Sequence, residues 1–156
     1  MKSKNGGYLA LKIKLLNGRL FNRYLAMDSR ILYSAEQGKI MSALWDKHPQ
    51  TASELSQITG LANSSLSIML RRLEEQGLIK SVASEVDKRK RMFDLTPMGA
   101  EQEQLGNEVS DKLSEVFYKG FSDQEIEDVE RYLTRILENL EQESAKYGRK
   151  NRGCKD

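Results

Sequence analysis

The chain has 156 residues, a hydrophobic share of 38%, a charged share of 31% and a formal net charge of +2 at pH 7. These values are typical of one soluble, helix-rich domain with room for an appended oligomerisation lobe. A disulfide framework is excluded, because Cys154 is the single cysteine. A membrane-spanning protein is excluded as well, because no apolar run is long enough. We therefore expect a cytoplasmic protein. With so small a net charge, the distribution of charge must decide whether nucleic acid is a partner.

The first predicted helix covers residues 8–27. Its apolar side chains follow the helical period and form a wide stripe, made of Leu9, Ile13, Leu15, Leu16, Leu20, Phe21 and Tyr24. The simplest interpretation is an amphipathic helix that packs on the core of its own chain. A stripe this wide on a small domain is, however, easier to bury with a partner.

A second helix is predicted from Ser34 or Ala35 to about Asp46. Its buried face is supplied by Ile40, Met41, Leu44 and Trp45. His48 precedes Pro49, and the residue before a proline resists helical geometry, so the helix ends there. Because His48 has no companion histidine and no nearby cysteine, we predict no metal site.

Two short helical patterns follow, over residues 52–59 and 63–76. The turn Gly60-Leu61-Ala62 between them is the tight connection of a helix-turn-helix unit. Thr51 or Ser53 is expected to cap the first helix, and its Leu55 and Ile58 are expected to point inward. In the second helix Leu66, Met69, Leu70 and Leu73 recur at three- and four-residue spacing and predict one buried face.

The opposite face of the second helix is small and polar at its start and cationic at its end. It carries Ser64, Ser65, Ser67, Ile68, Arg71 and Arg72, with Asn63 at the helix start. Short side chains allow close approach to base edges in a major groove, and guanidinium groups reach guanine or phosphate. An alternative is that Asn63, Ser64 or Ser65 simply caps the helix. Capping accounts for one of the three, but not for the whole polar and cationic face.

Residues 78–83 and 92–95 read as a pair of strands, joined by the polar segment 84–91. Gly77 ends the preceding helix by adopting a left-handed backbone. A basic hairpin loop directly after a helix-turn-helix is typical of a wing that contacts phosphates or a minor groove. Lys88, Lys90 and Arg91 are general phosphate candidates, although a run of charges is more commonly a solvated loop.

Two further helices are predicted after the hairpin. The first begins at Thr96-Pro97 and ends at Gly120, and Ser122 with Glu125 forms a capping box for the second. The predicted buried face of the last helix consists of Ile126, Val129, Leu133, Ile136, Leu137 and Leu140. These helices exceed what a winged-helix core requires, so we predict a dimerisation lobe. The alternative is that they thicken the core of a monomer.

The ordered set of motifs resembles the MarR family of bacterial transcriptional regulators. It comprises the helix-turn-helix ending in LEEQGLI (73–79), then Asp87-x-Arg89, the basic tip, and Leu95-Thr96-x-x-Gly99, and the resemblance covers roughly residues 35–140. It implies that Asp87 steadies the wing, that Arg89 reaches DNA, and that the first helix joins a dimer interface. It also implies that an effector changes the spacing of two DNA-binding heads and releases DNA.

The complete prediction is a mainly α protein with a small β-hairpin wing. The N-terminal helix (1–33) contributes to the dimer lobe, the winged helix-turn-helix core covers 34–95, the C-terminal helices of the lobe cover 96–146, and a basic, disordered tail covers 147–156. We expect a homodimeric transcriptional repressor on double-stranded, pseudo-palindromic DNA, with half-sites one helical turn apart.

A small aromatic or amphipathic effector is predicted in a cleft that Tyr24, Met41 and Trp45 line, although the simpler interpretation of these three is as core residues. Redox sensing by Cys154 is not expected, because it lies outside any ordered, electropositive pocket. No catalytic motif, cofactor site or metal site is recognisable, so we do not predict an enzyme. The alternatives are a winged-helix module that binds another protein and a DNA-binding protein without an effector.

Overall fold

The computed structural model describes the backbone of residues 3–150 and the side chains of residues 3–148. Six helices and three short strands occur in this part of the chain. In order they are α1 (Gly6–Met27), α2 (Ala35–Asp46), β1 (Gln50–Thr51), α3 (Ala52–Thr59), α4 (Asn63–Glu75), β2 (Ile79–Ala83), β3 (Arg91–Leu95), α5 (Pro97–Phe117) and α6 (Asp123–Lys150). The prediction of a mainly helical chain with a small β-hairpin is confirmed.

The sheet contains one strand that the sequence did not predict. β1 pairs antiparallel with β3, placing Gln50 opposite Phe93, and β3 pairs antiparallel with β2 in the order β1-β3-β2. A two-residue strand is too short to show an alternating pattern. Gln50 is fully buried, and its side-chain amide donates to the carbonyl oxygens of Ala43 at 2.9 Å and Lys47 at 2.7 Å.

One hydrophobic core connects α2, α3 and α4 with the base of the sheet. Its fully or almost fully buried members include Ile40, Met41, Leu44, Leu55, Leu66, Leu70, Leu73, Leu78, Ile79 and Phe93. The inward-facing residues predicted for α2 and α4 belong to this cluster, with Trp45 and Met69 partly buried at its edge. Ile58 is an exception, because its side chain is 61% exposed at the last turn of α3.

The end of α4, the start of β2 and the start of α5 meet at Gly77 and Leu78. Gly77 has a φ of 79°, and its amide and that of Leu78 donate to the carbonyl oxygens of Glu74 and Leu73, both at 3.0 Å. This is the Schellman arrangement that a left-handed glycine permits. Thr96 completes the junction, since its hydroxyl donates to the Gly77 carbonyl at 2.6 Å and its amide to the Leu78 carbonyl at 3.1 Å.

α5 packs closely against this junction. Thr96 caps the helix by accepting from the Gly99 amide at 3.1 Å, as predicted, and Trp45 donates its indole N–H to the Gly99 carbonyl at 3.0 Å. Gly99 lies directly against the Leu78 backbone, where a Cβ atom would collide with the carbonyl oxygen. The glycine therefore lets α5 approach the base of the wing without an intervening side chain.

Amide side chains from two helices fix the loop between α1 and α2. Gln102 of α5 is 5% exposed, accepts from the Leu32 amide at 3.0 Å and donates to the Arg30 carbonyl at 3.1 Å. From the other side, Gln76 at the end of α4 donates to the Leu32 carbonyl at 3.3 Å and accepts from Gln37 at 3.0 Å. The loop thereby connects α4 with α5.

The apolar stripe of α1 packs on its own chain only near the C-terminal end of the helix. Leu25 is buried and Phe21 and Tyr24 are partly buried, whereas Leu9, Ile13, Leu15 and Leu16 are about half exposed. The expectation that the whole stripe packs on this core is wrong. A helix of 22 residues is about 33 Å long, which is more than so small a core can cover.

α6 belongs to a second compact unit, which begins at Tyr118, while α5 belongs to the first unit. The predicted capping box is present, with Ser122 and Glu125 exchanging hydrogen bonds of 3.0 and 3.2 Å. Four of the six residues of the predicted buried face are exposed, from Leu133 at 44% to Leu140 at 63%, whereas Ile126 and Val129 are partly buried. In the described part of this unit α6 is the only helix or strand.

The described part of α6 continues to Lys150, so the first four residues of the predicted disordered tail are helical. The rest of the tail prediction, including Cys154, falls outside the described residues. Among residues 3–150 no helix is long and apolar enough to cross a membrane.

The contact between Gly99 and Leu78 predicts a sharp effect on stability. Gly99→Ala is expected to lower the free energy of unfolding by at least about 2 kcal/mol, because backbone atoms must shift to admit the methyl group. Gly148→Ala is the matched control, since no atom lies within 4 Å of a Cβ there. It should stabilise by roughly 0.5–1 kcal/mol through helix propensity alone. Urea unfolding at one fixed protein concentration measures both, and equal midpoints would contradict the expectation.

Candidate nucleic-acid interface

The turn between α3 and α4 is fixed by local hydrogen bonds. Thr51 caps α3 by accepting from the Glu54 amide at 3.2 Å, as predicted. The Ser56 hydroxyl donates to the Leu61 carbonyl at 2.8 Å, and the Leu61 amide donates to the Thr59 hydroxyl at 3.2 Å. These bonds set the direction in which α4 leaves the turn.

α4 presents two chemically different faces. Leu66, Leu70 and Leu73 are at most 3% exposed and hold the helix on the core. The predicted contact residues all lie on the exposed side, namely Asn63, Ser64, Ser65, Ser67, Ile68, Arg71 and Arg72. Ile68 is 45% exposed and is the one large apolar side chain of this face. We call these seven residues the recognition face.

The expectation that Asn63 or Ser64 caps α4 is wrong. The N-cap residue is Ala62, which has no side-chain cap, and the helix begins at Asn63. Asn63, Ser64 and Ser65 therefore occupy the first three helical positions, where a side chain does not satisfy the first free amides in the manner of an N-cap. Among the described residues these three side chains do not cap the helix, and its first amides have no side-chain partner, so both groups can meet an external donor or acceptor.

The cations of the recognition face have no acidic partner among the described residues. Arg71 and Arg72 are exposed, and neither takes part in a salt bridge or side-chain hydrogen bond in the part of the chain that the structure describes. An exposed guanidinium without a carboxylate partner offers its full charge to a phosphate.

The hairpin loop between β2 and β3 is a compact turn. Ser84 accepts from the Asp87 amide at 3.2 Å and donates its own amide to the Lys90 carbonyl at 3.1 Å. Asp87, half buried, accepts from the Arg89 amide at 3.0 Å. The Asp87 carboxylate thus shapes the turn through a backbone amide and leaves the Arg89 guanidinium free.

Four wing cations were predicted, and the structure separates them into two kinds. Lys88, Arg89 and Lys90 are exposed, with no ion pair among residues 3–150. Arg91 is the first residue of β3, and its guanidinium lies 3.1 Å from the carboxylate of Glu74 in α4. The Arg91 side chain is therefore already paired with a carboxylate of its own chain.

A cleft of about 1130 Å³ lies beside the core, bordered by α1, α2, α5 and the end of α3. Of the three residues predicted to line such a cleft, only Trp45 does so. Met41 is fully buried in the core, and Tyr24 packs under the ammonium group of Lys112, 4.5 Å from its ring centre. The exposed Ile58 also contributes to the cleft wall.

Sequence analysis missed the rest of the cleft lining, in which Tyr33 and Gly106 make the closest contact. Tyr33 contacts Trp45 edge-to-face, with ring centres 5.6 Å apart, and burial raises the pKa of Tyr33 to about 12. Its hydroxyl is therefore protonated near neutral pH and lies against Gly106, where a Cβ atom would collide with it. The only sequence signal for this contact was Gly106 itself, because a glycine inside a predicted helix indicates that another segment packs closely there. The sequence does not show which segment that is.

Within the described residues, no group of three or more His, Cys, Asp or Glu side chains is arranged to hold a metal ion. The ring Nδ1 of His48 lies 2.8 Å from the Leu44 carbonyl, in the turn after α2.

Three comparisons with known proteins bear on this arrangement. The MarR family model matches residues 33–90, which contain α2, the helix-turn-helix and most of the wing. The HTH-type transcriptional regulator MgrA of Staphylococcus aureus is 25% identical over 130 residues, covering 82% of this chain and 87% of MgrA.

Among solved structures, a variant of MarR from E. coli in complex with operator DNA superposes with a TM-score of 0.76. It is 25% identical and covers 84% of this chain and 92% of that one. BpsR of Bordetella bronchiseptica shares the fold at a TM-score of 0.77 and 17% identity, covering 88% and 96% of the two chains.

These similarities agree in the fold and in the class of protein, since the matched proteins are transcriptional regulators and not enzymes. Residues 33–90 match the MarR family model, and the chain has the winged helix-turn-helix fold of the MarR-type transcriptional regulators to which it is similar.

Proposed function

We propose that this protein is a dimeric, sequence-specific DNA-binding repressor that a small effector releases from its operator. In this proposal the recognition face of α4 enters the major groove, and Lys88, Arg89 and Lys90 of the wing reach the minor groove or the phosphates. Asp87 acts indirectly, by holding the turn that carries Arg89.

The observation that carries the proposal is the availability of the recognition face. Its first side chains do not cap the helix, and Arg71 and Arg72 lack partners among the described residues. A protein that used α4 only for folding would gain nothing from leaving this row of polar groups unpaired beside three free wing cations. The MarR variant of the same fold is in complex with operator DNA.

Exposed apolar side chains support dimerisation. Leu133, Ile136, Leu137 and Leu140 are spaced by three and four residues, so they form one face of α6, and each is between 44% and 63% exposed. The first half of α1 exposes further apolar side chains of similar size. Contiguous apolar surface of this kind marks a protein interface. A two-fold dimer would place two recognition faces about 34 Å apart, one turn of DNA.

The cleft supports an effector site. Its wall combines the aromatic side chains of Phe21, Tyr33 and Trp45 with the cations Lys14, Arg19 and Lys39. Such a wall suits a small aromatic or amphipathic molecule, for which the protonated Tyr33 hydroxyl can serve as a hydrogen-bond donor. BpsR, which shares this fold, has its DNA binding regulated by 6-hydroxynicotinic acid.

DNA binding is tested first by fluorescence anisotropy on duplexes tiled from the region upstream of the gene, across a salt series. Wild-type protein is expected to bind one tile far more tightly than the others. Arg71→Ala should weaken binding to that tile by roughly tenfold or more and reduce the preference for it over the other tiles. Arg89→Ala should weaken binding to all duplexes alike. Arg89→Ala should also make the binding constant less sensitive to salt, because each dimer loses about two phosphate contacts. This sensitivity is the slope of the logarithm of the binding constant against the logarithm of the salt concentration.

Arg131→Ala is the control, because it removes an exposed cation from α6 and should leave binding unchanged. Weak, salt-insensitive binding by the wild-type protein, unaffected by Arg71→Ala, would contradict the proposal and favour a protein-binding module.

Dimerisation is tested by sedimentation velocity over a range of concentrations. Leu137→Asp should raise the dimer dissociation constant by at least about a hundredfold, because the dimer would then bury two carboxylates. Gln142→Asp places the same charge on the far side of α6 and should dimerise normally. A wild-type monomer at high concentration would refute this part of the proposal.

The effector site is tested by the emission of Trp45, the single tryptophan of the chain. A small aromatic compound that changes this emission, 6-hydroxynicotinic acid being one to try, should weaken binding to the tight tile. The tile should weaken binding of the compound by the same factor, as linkage requires. Ser42→Phe narrows the cleft and should abolish the response in the DNA-free protein. A compound that changes the emission without changing DNA affinity would argue against an effector role.

A further inference from the structure

Three side chains from three elements form one network between the recognition helix and the wing. The Arg91 guanidinium of β3 donates through Nη2 to both carboxylate oxygens of Glu74 in α4, at 3.1 and 3.4 Å. Its Nε donates to the Ser81 hydroxyl of β2 at 2.7 Å, and that hydroxyl donates to Glu74 at 3.0 Å. The two strands of the wing are thus connected through side chains to the last turn of α4.

The position of Arg91 is fixed from a second direction. Its guanidinium lies 5.4 Å from the ring centre of Phe93, a buried residue two positions further along β3. With Nε and Nη2 both engaged and one face over a ring, the guanidinium has little freedom to follow a phosphate. Lys88, Arg89 and Lys90 have no such contacts among the described residues.

The network contributes little to the stability of the fold. The Arg91 side chain is 66% exposed and that of Glu74 is 28% exposed, and ion pairs in water gain little net free energy. Its effect is geometric, because it sets the position of the hairpin loop relative to the recognition face. Glu74 follows Arg71 by three residues, so its carboxylate would otherwise leave a negative charge beside that face.

We propose that Arg91 and Glu74 are positioning residues, which hold the wing at a fixed geometry against the recognition helix without binding phosphate. This inference rests on the proposed DNA binding. It replaces the expectation that Arg91 is one of the general phosphate contacts of the wing.

Anisotropy on the tight tile and on a shuffled duplex, across a salt series, separates the two roles. Arg91→Met and Glu74→Ala should each weaken binding to the tight tile by roughly threefold to tenfold. The double variant should bind no more weakly than the weaker-binding single variant. The salt dependence of Arg91→Met should equal that of the wild type, whereas Arg89→Met should lose about two phosphate contacts per dimer.

Arg91→Lys is the decisive conservative variant. It keeps the charge but not the planar fork, so a positioning role predicts that it behaves like Arg91→Met. If Arg91→Lys keeps wild-type affinity, if Arg91→Met lowers the salt dependence as Arg89→Met does, or if Glu74→Ala tightens specific binding, the inference is overturned.

Hydrogen exchange of the DNA-free protein tests the network independently of the proposed function. Amides of residues 79–95 should exchange at least about threefold faster in Arg91→Met and in Glu74→Ala, and at the wild-type rate in Arg89→Met. Unchanged exchange in the first two variants would show that the network does not hold the wing. A wild-type protein that binds no duplex would instead overturn the proposed function, and the exchange result would still decide whether the network holds the wing.

Discussion

The carbonyl groups of Gly77 and Leu78 are the point at which the DNA-binding core is held together. The recognition helix ends there, the first wing strand starts there, and Thr96 and Gly99 bring α5 against the same backbone. All of these contacts are short and involve main-chain atoms, so the junction itself uses no long, mobile side chain. Such a junction suits a protein that must present a helix and a loop to one rigid partner.

The parts of the fold that local chemistry decides were predictable from the sequence. The spacing of Leu66, Leu70 and Leu73 gave the orientation of the recognition helix, and Gly77 gave its end. The capping box of Ser122 and Glu125 likewise involves residues three positions apart. Each of these features is written within a few residues, which is why a single sequence was enough.

The parts that sequence analysis missed depend on contacts between distant segments. Arg91 looked like its basic neighbours, because nothing local indicates a carboxylate 17 residues earlier in the chain. Tyr33 and Gly106 meet only because α5 folds back over the loop before α2. The apolar faces of α1 and α6 were predicted correctly as stripes, but a periodic stripe does not say whether its own chain or another molecule covers it.

The close packing of Gly99 has a mechanical consequence. With no side chain between α5 and the Leu78 carbonyl, the helix touches the base of the wing through main-chain atoms, so this contact is a natural fixed point for any tilt of α5. Gly106, which touches Tyr33 and Trp45 in the cleft wall, lies about 10 Å from that pivot, and Phe117 lies about 27 Å from it. α5 is thus a lever with unequal arms. For a rotation about the Gly99 contact, a displacement of about 1 Å at Gly106 corresponds to about 2.5 Å at Phe117, where the first compact unit ends.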